Sequence, residues 1–69
     1  MGAAPTIRIA RLLMAFDRLT DRGLEAMLPD VRPSTIRSAR VRLWRRGEVQ
    51  RAGFVRGAKR REAVWKLSQ

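Results

Sequence analysis

Fourteen arginines and two lysines stand against six carboxylates in 69 residues, a formal net charge of +10. The guanidinium group is a planar, permanently charged fork that matches phosphate oxygens and the major-groove edge of guanine. An excess of this kind calls for a polyanionic partner: nucleic acid, an acidic membrane or an acidic protein. Other chemistry is poorly supplied. Histidine, cysteine and tyrosine are all absent. That removes the commonest general base, the thiolate nucleophile, disulfides and the usual zinc ligands. A carboxylate-only magnesium site needs clustered acids in the basic half, and only Glu48 and Glu62 lie there. Asp17 and Asp21 are close in sequence, but roles at helix ends account for both. We expect no enzyme activity, no cofactor and no metal.

The charge is segregated. Residues 1–31 balance Arg8, Arg11, Arg18 and Arg22 against Asp17, Asp21, Glu25 and Asp30, whereas residues 32–69 carry the whole excess. Solubility alone gives no reason for such a division; a binding face does. No apolar run approaches the roughly 20 residues of a membrane span, and Met1-Gly2-Ala3-Ala4-Pro5 lacks the features of a signal peptide. The expectation is a single domain over residues 1–69 in the cytoplasm.

The elements that must position these groups follow from periodicity. Ile9, Leu12, Leu13 and Phe16 form one helical stripe, predicting helix 1 over about residues 5–18. Pro5 suits its first turn, and Thr6 is a candidate cap. Thr20 is a good N-cap for a short helix 2 over about 21–28, carrying Leu24, Met27 and Leu28 and stopped by Pro29. Pro29-Asp30 is turn chemistry, with Asp30 tolerant of a left-handed conformation. Pro33 at the first helical position, or Ser34 as cap, opens helix 3 over about 33–46, and Gly47 ends it. The period then changes to two. A strand over about 48–55, a basic turn at 56–60 and an alternating strand at 61–67 predict a hairpin, with Ala63, Trp65 and Leu67 on one face. Gly53 suits a bulge or bend.

The order helix, helix, tight turn, helix, hairpin resembles the winged helix-turn-helix DNA-binding domains. The residues that carry the resemblance are Leu19-Thr20, Pro33-Ser34-Thr35-Ile36, Leu43, Arg45-Arg46-Gly47-Glu48-Val49 and Val64-Trp65-Lys66-Leu67. It spans about residues 7–68. It implies an α+β, mainly α, fold: three helices with a C-terminal β-hairpin wing. Two departures stand out. Asp30 occupies the turn where many such domains have Gly, and Arg40 stands where they often have an aliphatic residue, with Ala39 the nearer apolar candidate. Arg40 can extend its stem along the core and reach out to water.

The resemblance makes helix 3 the reading helix and the hairpin the wing. With Ile36 at 0° and about 100° per residue, Ala39, Arg40 and Leu43 share the buried sector. Ser34, Thr35, Arg37, Ser38 and Val41 become candidates for base edges in the major groove. Arg37 suits guanine and Val41 a thymine methyl. Arg42 and Arg45, further along, can take base or phosphate. At the hairpin, Arg56, Lys59, Arg60 and Arg61 crowd around Gly57 and Ala58, suited to phosphates or the minor groove. Arg51 is a third backbone site. Trp65, Phe16 and Phe54 read as core. Trp44, at about 80°, reads as core or a dimer contact rather than a stacking surface.

The function expected is binding of double-stranded DNA by a transcriptional regulator, with a homodimer on paired half-sites compatible with the small footprint of one domain. The alternatives are an architectural or recombination accessory protein on the same scaffold, and a winged helix that docks on an acidic protein. RNA binding fits less well, because the sequence offers no evident pair of exposed aromatics.

Overall fold

In a computed structural model, which describes residues 3–57 and 59–68, the chain forms three helices and a three-stranded antiparallel sheet. The elements are α1 (Pro5–Phe16), β1 (Leu19–Thr20), α2 (Asp21–Met27), α3 (Pro33–Arg45), β2 (Val49–Arg56) and β3 (Arg61–Leu67). This small α+β domain is compatible with a winged-helix layout. Among the described residues, no helix is long and apolar enough to cross a membrane.

Each helix boundary has a local cause. Pro5 and Pro33 each stand at the start of a helix, where a missing amide hydrogen costs nothing. Neither helix has a side-chain cap, so Thr6 and Ser34 do not cap. Thr20 does cap α2, accepting a hydrogen bond from the Gly23 amide at 3.0 Å. The end of α3 is closed by two backbone bonds, Gly47 N to Trp44 O at 3.0 Å and Glu48 N to Leu43 O at 2.9 Å. That double closure needs a left-handed residue, supplied by Gly47 at φ 75°.

Helix 1 is two residues shorter than its periodicity suggests. It stops at Phe16 because Asp17 takes φ 67° and ψ −56°, and the Arg18 amide bonds back to the Phe16 carbonyl at 2.7 Å. This is a γ-turn with positive central φ. The left-handed aspartate expected at Asp30 therefore lies at Asp17; Asp30 has no positive φ. Asp30 instead receives two hydrogen bonds from Arg8, at 2.7 and 3.1 Å, tying the turn before α3 to α1. Helices 2 and 3 end one residue earlier than expected, at Met27 and Arg45.

The sheet order is β1-β3-β2. β1, not anticipated from sequence, pairs Leu19 with Trp65 and Thr20 with Val64. The hairpin pairs Val49 with Leu67, Arg51 with Trp65, Phe54 with Ala63 and Arg56 with Arg61. A bulge between Arg51 and Gly53 leaves Ala52 as the extra residue, followed by Gly53 at φ 124°. Its effect is on facing. Side chains alternate along β3, so Arg61, Ala63, Trp65 and Leu67 share one face. Their partners on β2 are then Val49 and Arg51 before the bulge and Phe54 and Arg56 after it.

The core is Ile9 and Leu13 from α1, Leu24 from α2, Leu28, Ile36, Ala39 and Leu43 from α3, Val49 and Trp65. Phe16 and Phe54, both expected there, are half exposed at 52% each. The reason is size. With so little volume, an aromatic at the end of α1 or beyond the bulge has no opposing element to cover it.

Candidate nucleic-acid interface

Among the described residues, Arg40 is the one charged residue that is buried, at 9% exposure. Its Nε and Nη2 donate to the two carboxylate oxygens of Asp21, at 2.8 and 2.7 Å. Its guanidinium carbon lies 4.2 Å from the centre of the Trp65 ring. The wheel placed Arg40 in the buried sector; Asp21, at the start of α2, is what makes burial of its charge tolerable. Arg40 therefore joins α2, α3 and β3, and is not available to a ligand.

The other arginines of α3 are placed differently. Arg37, Arg42 and Arg45 are exposed, as are Ser34, Thr35 and Ser38, while Val41 is half-buried. Arg37, Ser38, Val41, Arg42, Arg45 and Arg46 line an open groove of about 500 Å³ along the outer face. Arg46 is paired with Glu48 at 2.7 Å. Among the described residues four ion pairs are formed: Arg8–Asp30, Arg18–Asp17, Arg40–Asp21 and Arg46–Glu48. Among the described residues, Arg37, Arg42, Arg45, Arg51, Arg56, Lys59, Arg60 and Arg61 make none.

The hairpin tip is held by the Gly57 amide, which donates to the Arg60 carbonyl at 2.9 Å. A Cβ at Gly57 would stand 2.5 Å from that oxygen and 2.6 Å from Glu62 Oε2. Glycine is required there for space. Ala58 lies outside the described residues. Lys59, Arg60 and Arg61 line a second depression, of about 520 Å³, together with Arg37 of α3 and Asp21, Arg22 and Glu25 of α2. The fold thus brings Arg37 and the hairpin cations to one cleft, and Arg37 also borders the groove along α3.

The acids of α2 and Glu62 enter the same cleft, a feature the sequence reading missed. Arg51 lies apart from the tip, among the rings of Trp44, Phe54 and Trp65. Trp65 is in the core as expected; Trp44, stacked edge-on against it with ring centres 5.8 Å apart, keeps 44% exposure. In comparisons with known proteins, no family model matches the chain, and no curated protein matches it in sequence.

Proposed function

We propose that the chain is a winged helix-turn-helix domain that binds double-stranded DNA and serves as a sequence-specific transcriptional regulator. The observation that carries this reading is the position of Arg37. It borders both the groove on the outer face of α3 and the cleft to the hairpin tip, so the cations of helix and hairpin meet at Arg37 across a cleft that also holds Asp21, Glu25 and Glu62. An α-helix fits the major groove. In this reading Ser34, Thr35, Arg37, Ser38, Val41 and Arg42 meet base edges. Arg45, Arg51, Arg56, Lys59, Arg60 and Arg61 meet the backbone or the minor groove. The β1-β3-β2 order supports the winged assignment, since it fixes the hairpin to the strand that precedes α2. A homodimer on two half-sites would supply the footprint that one domain lacks.

Selection from random duplex pools, sequenced at two salt concentrations, tests the proposal. An enriched motif with two-fold symmetry is the expected result. A flat profile with a steep salt dependence would replace regulation by an architectural role. No duplex binding at about 150 mM salt would point to an acidic protein partner instead.

A further inference from the structure

Arg51 sits between exposed rings. Its guanidinium carbon is 5.4 Å from the centre of Phe54 and 5.8 Å from that of Trp44. Arg61, on the neighbouring strand, is 5.4 Å from Phe54. Trp44, Arg51, Phe54 and Arg61 therefore form a strip of alternating aromatic and guanidinium groups, running from α3 across β2 to β3. The bulge creates it by turning Phe54 to the same face as Arg51.

Core packing does not explain the strip. Large aromatics ordinarily give up most of their surface to water-free contacts, yet Trp44 and Phe54 keep 44% and 52% of theirs exposed. Cation–π attraction between exposed groups is weak, about 0.5–1 kcal/mol. Alternation of ring and cation suits one ligand chemistry well: each unpaired base offers a π-face to a ring, and each phosphate between bases finds a guanidinium. Paired bases keep those faces stacked on one another and offer edges instead. An acidic protein surface would satisfy the arginines and leave the rings without a match.

We propose that this strip binds single-stranded nucleic acid by base stacking, with little sequence preference. The proposal goes beyond duplex recognition and uses none of the base-edge candidates of α3. Arg51 and Arg61 serve both surfaces, so the two ligands compete.

The test uses the full chain with short oligothymidine, which cannot pair with itself, and with a duplex of equal length at the same salt. Binding is followed by the fluorescence anisotropy of end-labelled oligothymidine; in chains that keep Trp44, quenching of tryptophan fluorescence reports that residue, because Trp65 is buried. Phe54→Leu and Trp44→Leu should each weaken oligothymidine binding about tenfold, within the range for loss of one stacked base, and change duplex binding little. Circular dichroism checks that each variant folds, and if one does not, the other decides. The proposal is overturned if oligothymidine does not bind, if folded variants bind it as well as the parent, or if oligothymidine and duplex binding fall together. Binding of oligothymidine without duplex binding would remove the regulator reading and leave this one standing.

Discussion

Asp21 and Arg40 are separated by 19 residues, yet their side chains meet in two hydrogen bonds and fix the first turn of α2 against the middle of α3. The two partners differ in exposure, 30% for the Asp21 side chain and 11% for that of Arg40. The pair should therefore respond unequally to its two truncations. Asp21→Ala strands a buried guanidinium and should cost about 2–4 kcal/mol, somewhat below the range for breaking a fully buried pair. Arg40→Met keeps the apolar stem and leaves an aspartate that water and the helix N-terminus can satisfy, so about 1 kcal/mol is expected. Urea melts of both variants measure the difference; equal losses would mean that the pair is not anchored on the arginine side.

The contact between Arg8 and Asp30 should appear in the acid limb of the stability profile. Hydrogen bonding from Arg8 holds the Asp30 carboxyl below its ordinary value of 3.8. A carboxyl lowered in the folded state contributes stability that is complete above its unfolded value and vanishes as pH falls through the folded one. The stability gap between the parent chain and Asp30→Asn should thus be constant near neutrality, shrink below about pH 4 and close in stronger acid. Arg8 is raised by the same hydrogen bond, and its contribution lasts throughout that window. A gap that stays constant down to pH 2 would exclude the linkage.

The bulge makes a paired prediction. Gly53 at φ 124° is in a region that residues with a side chain rarely enter, although no atom crowds its Cβ position. Gly53→Val should cost about 1–3 kcal/mol through backbone strain alone. Where the hairpin survives by losing its bulge, Phe54 and Arg56 turn to the opposite face, and nucleic-acid binding should fall with them. Deletion of Ala52 regularises the ladder while leaving those two residues on the Arg51 face, so binding should persist. Electrophoretic titrations of the two variants separate facing from mere presence of the hairpin.

Duplex recognition predicts different losses at α3 and at the tip. Arg37→Ala should relax base preference at one position, worth about 1–3 kcal/mol there. Lys59→Ala should weaken all sequences alike and reduce the salt slope by about one. For the parent chain, six to ten phosphate contacts would lower affinity about 10³- to 10⁵-fold between 50 and 200 mM salt. Normal binding by both variants would place the DNA face elsewhere.

Asp17 offers a test of local strain. In a γ-turn with positive φ, a β-branched replacement is the worst fit and glycine the best. Asp17→Val should destabilise the chain by about 1–3 kcal/mol, and Asp17→Gly should be close to neutral or stabilising. Thermal melts of the two decide.

What could be read from the sequence was what depends on near neighbours. Helical stripes such as Ile9-Leu13 and Ile36-Leu43, the Thr20 cap, the Gly47 stop and the alternation around Trp65 are all local patterns, and the structure has them. β1 was not legible, because Leu19-Thr20 is too short to show a period and exists only through pairing with Val64 and Trp65. Phe16 and Phe54 were misplaced for a related reason: apolar character says that a side chain prefers cover, not that a neighbour is there to give it. For the site, the outward set on α3 followed from the wheel. Its meeting with Lys59, Arg60 and Arg61 at Arg37, and the companionship of Arg51 with two exposed rings, required the third dimension.

The β1-β3-β2 order also has a consequence in time. The middle strand comes later in the chain than both strands it joins. During synthesis α1 and α2 can coil early, but Leu19-Thr20 waits without a partner, and the core lacks Trp65, until residues 61–67 have been made. The electrically neutral half is thus hostage to the charged half for its completion. A substitution at Trp65 therefore tells on both halves of the fold, whereas the tip around Lys59 and the outward side of α3 hold no core residue.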